Sequence, residues 1–407
     1  MANVSSSNGL EKRPTLSFRD DCGAEFPSWQ RTSLGTIIEP YSEKVHGEHD
    51  CEVLTSSREG LQRQIDHFGS QQRHDTDGYN IIPLGFCTYR NRSDDGRFTF
   101  NINKISDRAI VSKFYPVFRF KNANSTFMTE YLNSSARARK KLSVLAVGTS
   151  QVVLSFEALK SAKFDLPCKE EQDKIASLLE CLNERIDLQR SFVDALKKYK
   201  RGLLRDIFSK LNVRHDKRKL KDVAVLFADG DWIESKDQAP EGIRLVQTGN
   251  VGFGVYLDKP QNAKYISEAT FHRLNCLEIY DGDILISRLP EPAGRACLLP
   301  QSTERRITAV DCTVIRTDKS VIDRTYLLQF LCSDQYLKTV NSLLAGGTRQ
   351  RISRKNLEGI EVPYPSIDQQ RYYGSFLCKV DARISNEENR LNCLSILRSS
   401  LLQQLFI

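Results

Sequence analysis

Apolar residues recur at alternating steps of four and three in two places along the chain. In the first, Ile175, Leu179, Leu182, Ile186, Val193, Leu196, Leu203 and Ile207 form one stripe. In the second, Tyr373, Leu377, Val380, Ile384, Leu391, Leu394, Leu401 and Leu405 follow the same steps. A heptad seam held over about five heptads with no proline inside it predicts a long coiled-coil helix in each place. Pro167 and Pro365 stand just ahead of the two seams, where a missing N–H costs little. Gly202 is read as the one helix-weakening residue, and the seam continues through it. Elsewhere the pattern shortens to strand-like runs such as Tyr79–Ile82 and Asp283–Ser287, broken by turn dipeptides such as Asp95-Gly96 and Asp281-Gly282.

The two seams belong to an internal duplication. Pro167, Gln172, Arg185-Ile186, Leu203-Leu204 and Phe208 recur as Pro365, Gln370, Arg383-Ile384, Leu401-Leu402 and Phe406, each 198 residues later. Gly148-Thr149 recurs as Gly347-Thr348 with one residue of slippage. A fixed offset over so many positions predicts two half-molecules in tandem. The segments between the helices share little sequence with each other. The predicted organisation is a loose polar leader over 1–15, a globular segment over 16–166, a helix over 167–210, a second globular segment over 211–365 and a second helix over 366–407.

The polar interruptions of the seams suggest how the helices pair. They are Gln189 and Lys200 in the first helix, and Glu387 and Arg398 in the second. If the helices lie antiparallel, setting Lys200 against Glu387 also sets Gln189 against Arg398, with facing numbers totalling 587. A slip of one heptad would face both cations with leucine or valine. The expectation is therefore an antiparallel pair in that register, aligned by its polar layers.

Composition narrows the class. With 40% hydrophobic and 27% charged residues, the 407-residue chain has ordinary globular content and room for two or three cores. No apolar run is long enough to span a membrane, and the leader lacks a signal peptide's apolar core. Eleven cysteines with no C-x-x-C fit a reducing cytosol, and His46, His49 and Cys51 read as a polar loop without a fourth metal ligand. The net charge of +8 is moderate, but basic residues cluster at Arg137, Arg139, Lys140 and Lys141 and again at Arg349, Arg351, Arg354 and Lys355. Such clusters suit phosphate neutralisation, a solvated face being the alternative.

Catalytic motifs are missing. There is no G-x-x-x-x-G-K-[ST] run for nucleotide phosphates and no Asn-Pro-Pro-Tyr-like run of an adenine methyltransferase. Gly252-Phe253-Gly254 is an incomplete glycine pattern that reads as a strand and turn. A purely structural coiled coil would not need two diverged globular segments.

Several motifs resemble the specificity subunits of type I restriction–modification systems. They are Leu166-Pro167 with Glu171-Gln172 and Ile175, the run Leu196-Lys197-Lys198-Tyr199-Lys200-Arg201-Gly202-Leu203-Leu204, Ser56-Ser57-Arg58-Glu59-Gly60-Leu61, and Tyr79-Asn80-Ile81-Ile82-Pro83-Leu84-Gly85. In the second half, Gly242-Ile243-Arg244, Gly249-Asn250-Val251, Gly282-Asp283-Ile284-Leu285 and Gly347-Thr348-Arg349-Gln350 complete the match. The second helix departs from it in having Gln369-Gln370 and no basic Lys-Lys-Tyr-Lys run. The first half has Gly148-Thr149-Ser150-Gln151 where an arginine is commoner after Gly-Thr, so guanine reading by that loop is not implied.

The resemblance implies an α+β protein: two globular mixed α/β target-recognition domains separated by two long antiparallel coiled-coil helices, in a pseudo-twofold tandem repeat. It implies a non-catalytic subunit in the cytoplasm of a bacterium or archaeon, with no membrane partner, that binds double-stranded DNA. Two methyltransferase subunits would dock on it, and two restriction/translocase subunits would join in the full complex. S-adenosylmethionine, ATP and Mg would sit on those partners, with no cofactor or metal on this chain. The seam from Leu182 to Ile207 would span about 40 Å at ~1.5 Å per residue, close to the roughly 34–36 Å between half-sites on one face of DNA. The candidate DNA-binding residues are Arg349, Gln350, Arg351, Arg354 and Lys355, then Arg90, Asn91, Arg92, Lys140, Lys141 and Gln151, and Gln247, Asn250 and Arg288. The apolar residues on the outer sides of the helix (Leu178, Leu188, Phe192) suit a partner, packing on the recognition domains being the alternative.

Overall fold

The computed structural model describes residues 14–70, 75–346 and 350–406. The chain divides into two compact units, one of residues 1–189 with 390–407, the other of residues 190–389. Two long helices, Lys169–Arg214 and Ile367–Leu405, each contribute one half to each unit. Among the described residues, no helix is long and apolar enough to cross a membrane.

In the first unit an antiparallel four-stranded sheet runs in the order Ile38–Tyr41, Val117–Phe120, Cys87–Tyr89, Phe100–Ile102. A second sheet has the order Gly60–Arg63, Glu52–Ser57, Arg108–Val111, Asn80–Pro83, with one parallel pair, Glu52–Ser57 against Arg108–Val111. Helices Ser125–Ser134 and Ala136–Leu145 cover the first sheet's core, and Gln30–Ser33 pairs with Lys163–Leu166 just before the long helix starts.

The second unit repeats this plan. Its four-stranded antiparallel sheet is Ala224–Asp229, Cys312–Thr317, Ile284–Ser287, Ala296–Leu298. Its second sheet has five strands and again one parallel pair, Ile243–Val246 against Arg306–Thr308. Helices Arg324–Leu331 and Asp334–Ser342 take the place of the first unit's pair, and Lys217–Lys219 pairs with Glu361–Pro363 before the second long helix. The globular segments thus share a topology that their sequences conceal.

The repeated residues have matching jobs. Gln172 is buried, donates from Nε2 to the Pro167 carbonyl at 2.9 Å and accepts the Asn124 N–H at 2.9 Å. Gln370 does the same with the Pro365 carbonyl and the Asp323 N–H, both at 2.9 Å. Asn124 and Asp323 are in turn the N-caps of helices Ser125–Ser134 and Arg324–Leu331, called recognition helices only because they lie in the globular segments expected to be recognition domains, and accept N–H groups from the first turn. Phe406 packs against Phe127 and Tyr131 at 5.8 and 5.5 Å, and Phe208 against Tyr326 and Phe330 at 5.5 and 5.4 Å. In each unit one helix start and one helix end grip the same recognition helix.

The helices run antiparallel, as expected. In the second unit Lys197 pairs with Glu388 at 2.7 Å and Lys200 with Asp381. The register, however, is not the expected one. Lys200 meets Asp381 instead of Glu387, whose carboxylate takes Arg383 of its own helix at 2.8 Å. In the first unit Arg398 donates to Asn183 at 2.6 Å and to Glu130 at 2.5 Å, in place of a layer with Gln189. These two layers total 581 and the Lys197–Glu388 pair totals 585, against the expected 587, so neither of the expected polar pairs is made. The physical reason is a third partner from outside the helices. Glu130 of the first recognition helix completes one layer, and Gln329, donating to Asp381 at 2.7 Å, completes the other. The slip that would strand both cations between two isolated helices strands neither here. Gln189 and Glu387 are both buried seam residues.

Gly202 is not the only glycine in the long helices. A Cβ on Gly202 would meet nothing within 4 Å, whereas one on Gly374 would lie 2.7 Å from the Tyr326 nitrogen and 2.6 Å from Thr325 Oγ1. Gly374 is there because the helix passes against the N-terminus of a recognition helix with no room for a side chain.

Candidate nucleic-acid interface

Each unit carries the same small hook. In the first, Val147 and Val153 bridge across a five-residue loop, and the next amide, Leu154 N–H, donates to the Asn91 carbonyl at 2.9 Å. In the second, Ala345 and Arg351 bridge across a loop of equal length, and the Ile352 N–H donates to the Arg288 carbonyl at 3.2 Å. Leu154 and Ile352 are fully buried, so each hook is pinned at its base. Asn91 and Arg288, far apart in sequence, occupy matching places behind the two hooks.

In the second unit the hook is backed by charge. Arg288 is 4% exposed, ion-paired with Asp229 at 3.4 Å and hydrogen-bonded to the Val310 carbonyl at 2.6 Å. Asp311 lies 4.0 Å from Arg288 and 3.7 Å from Arg351. Arg288 therefore works from below, tying the hook and Asp311 together, and has no free face for a base edge. Arg351 is half exposed and Gln350 exposed. Arg354, which pairs with Glu358 at 3.1 Å, and Lys355 are exposed on the short helix after the hook. Gly347, Thr348 and Arg349, the expected reading residues of this loop, lie outside the described residues.

Gln247 and Asn250 are taken up by local structure. They form a reciprocal cap, the Gln247 N–H donating to Asn250 Oδ1 at 3.0 Å, while Asn250 Nδ2 donates to the Leu257 carbonyl at 2.9 Å. Arg295, absent from the sequence candidates, holds this loop from the other side. It donates to the Val251 and Thr248 carbonyls at 2.7 and 2.9 Å and to that of Leu289 at 2.8 Å. Burial lowers its pKa, yet every contact it makes is to a neutral carbonyl. No spacing could have flagged it, because its partners are backbone carbonyls from two separate loops.

In the first unit Arg90 and Arg92 are exposed on either side of Asn91, whose side-chain carbonyl is buried without a hydrogen-bond partner. The Arg92 guanidinium lies 5.3 Å from the centroid of the exposed Phe114 ring. Ser93 pairs with Val152, which joins this segment to the hook. Gln151 donates to Asp94 at 3.0 Å across the same junction. Lys140 is exposed on its helix; Lys141 instead donates to the Lys163 carbonyl at 2.6 Å, and partial burial lowers its pKa. The structure thus gathers Arg90, Asn91, Arg92 and Gln151 and leaves Lys140 and Lys141 apart from the hook's base. Arg58 and Arg97 join Arg90 and Arg92 around one cleft. Both were missed as site residues, though Arg58 lies in a quoted motif and Arg97 follows the Asp95-Gly96 turn.

The outer helix residues differ in exposure. Leu188 and Phe192 are 67% and 44% exposed, whereas Leu178 packs partly against the first unit's core.

Comparison with known proteins agrees with this arrangement. The sequence profile of the type I restriction modification DNA specificity domain matches twice, over residues 54–198 and 212–395. The type I restriction enzyme MjaVIII specificity subunit of Methanocaldococcus jannaschii is 22% identical over 253 residues, 58% of this chain and 59% of the relative. A putative MjaX specificity subunit from the same organism is 24% identical over 249 residues, 55% of this chain and 53% of the relative. The chain therefore spans little more than half the length of these curated relatives. A crystal structure of a type I restriction–modification S subunit from M. genitalium has a TM-score of 0.58 at 16% identity, covering 97% of this chain and 99% of that one. A chain from a study of complex assembly and conformational transition of the type I R-M system scores 0.55 at 17% identity, covering 94% and 98%. These likenesses are to fold. The two matched domains take up most of the sequence, and the chain belongs to the type I restriction–modification DNA specificity family.

Proposed function

We propose that the chain is the DNA-reading subunit of a type I restriction–modification complex, with each recognition domain reading one half of a bipartite site. The observation that carries this reading is the repeated hook, pinned identically in two domains whose surface residues differ. One scaffold presenting two unlike loops is what a reader of two unlike half-sites requires. In this reading the chain is non-catalytic and works in the cytoplasm of a bacterium or archaeon. Two methyltransferase subunits dock on it, and two restriction/translocase subunits act on its instruction. S-adenosylmethionine, ATP and Mg then belong to those partners. The exposed Leu188 and Phe192 are the apolar residues offered to a docking partner.

The test is single-molecule sequencing of genomic DNA with modified-base detection, in cells with and without the gene. A bipartite methyladenine motif that disappears on deletion is the expected result. Identical methylation in both strains, with the partner genes expressed, would sink the proposal.

A further inference from the structure

The four-arginine cleft of the first unit holds more positive charge than its contacts neutralise. Arg58 comes from the turn between two paired strands, Arg90 and Arg92 from the segment under the hook, and Arg97 from the turn after Asp95-Gly96. Only part of this charge is matched. Asp95 pairs with Arg58 at 2.7 Å and with Arg97 at 3.9 Å. Its own carboxyl is held below the usual range, first by the Ser93 hydroxyl and the Arg97 amide and then by Arg58. Among the described residues, no carboxylate lies within 4.0 Å of Arg90 or Arg92. Ser56, Ser57, Ser93 and Thr99 complete the lining with Asp94, whose carboxylate already accepts from the Gln151 amide, so the four arginines outnumber the single carboxylate of the cleft wall.

From this we infer that the cleft seats a backbone phosphate of duplex DNA, with Arg90 and Arg92 making the contact and Arg58 and Arg97 supplying field. The inference rests on the DNA-reading proposal and adds the kind of contact. Two guanidiniums without a carboxylate partner on one small hollow suit a compact anionic group such as a phosphodiester better than the flat edge of a base. The stack on Phe114 fixes Arg92, reducing the freedom lost on contact. The cleft also adjoins the hook through the Ser93–Val152 pairing. A phosphate held there sets the register of the strand whose bases the hook loop meets, which is the usual division between contacts that position and contacts that specify.

The experiment uses the full chain and a random-sequence pool of 40-base-pair duplexes, with retained DNA sequenced and binding measured across a salt series. The double variant R90A/R92A is expected to bind all retained sequences roughly tenfold more weakly. Its log–log salt slope is expected to fall by about 2, with an unchanged sequence motif. R90K/R92K keeps the charge and is expected to restore most of the slope, since a phosphate accepts a point charge where a base edge needs the planar fork. A motif altered at particular bases would make these residues base readers and overturn the inference. So would unchanged affinity and slope. If the unaltered chain retains no duplex at all, the DNA-reading proposal itself fails and this inference falls with it, a result distinct from the other two. All four substitutions are on exposed side chains, and an unchanged melting temperature confirms that folding is not the cause.

Discussion

At the scale of single residues, Gln172 and Gln370 explain why certain positions recur at a fixed offset. Each is a buried amide using one donor and one acceptor to join a proline carbonyl to the capped start of a recognition helix. Both partners are backbone groups that cannot move away or find water. Truncating Gln370 to alanine strands the Pro365 carbonyl and the Asp323 N–H together, at roughly 1–3 kcal/mol for each buried unsatisfied group. Q370A is therefore expected to lose about 2–4 kcal/mol in urea unfolding. The neighbouring Q369A, an exposed side chain in contact with Ser366, is expected to lose under about 1 kcal/mol. Equal effects from the two would show that burial of the bridge is not what matters. Glutamate at 370 keeps the acceptor but loses the donor and adds a buried charge, so Q370E should be no better than Q370A.

At the scale of elements, the helix pair shows what could and could not be read from sequence. The seam, its length and the antiparallel sense were legible, because heptad spacing depends only on each helix's own residues. The register was not, because Glu130 and Gln329 come from recognition helices and nothing in the seams announces them. The two layers are related by the repeat: Arg398, Asn183 and Glu130 in the first unit match Lys200, Asp381 and Gln329 in the second. Each holds one cation and one anion, but the anion sits on the recognition helix in one and on the long helix in the other. This makes a sign reversal testable. In the native chain N183D would place a second carboxylate beside Glu130, whose Oε1 is 3.3 Å from the Asn183 amide, and is expected to destabilise by roughly 1 kcal/mol. E130Q alone leaves Arg398 half-buried without its carboxylate, a loss of about 1–2 kcal/mol, between the values for exposed and buried pairs. In the E130Q background, N183D recreates the arrangement of the second unit and is expected to stabilise. A double-mutant cycle by chemical denaturation measures the coupling, and additive effects would mean the layers are not equivalent devices.

At the scale of the whole molecule, the duplication is visible in sequence where it is needed for gripping and invisible in the sheets of the globular segments. The residues that recur are those clamping the recognition helices, such as Phe208 and Phe406. The sheets repeat in topology alone, because a strand pairing asks only for alternating burial and many sequences supply it. The site was partly legible for the same reason. Arg90, Asn91 and Arg92 could be singled out as a run of long donors, while the roles of Arg288 and Arg295 depend on which carbonyls and carboxylates folding brings to them. The clamp also means that chain order and stability order differ. Removing residues 390–407 deletes Leu401, Leu402, Leu405 and Phe406 from the core around Phe127 and Tyr131, and takes Arg398 from Glu130. Those losses fall on the first unit, whose other residues lie more than 200 positions earlier. Phe406 alone meets two aromatic rings there, and loss of a buried phenylalanine side chain costs roughly 3–5 kcal/mol. Hydrogen exchange on the truncated chain is therefore expected to show amides of 125–134 losing protection by a factor of at least about 100, for each 1.4 kcal/mol is tenfold. Amides of 324–331, whose aromatic partner is Phe208, should keep most of theirs, since that contact survives the truncation. Loss concentrated instead in 324–331 would show that the C-terminal turns support the domain next to them in sequence, and the crossed clamp would be wrong.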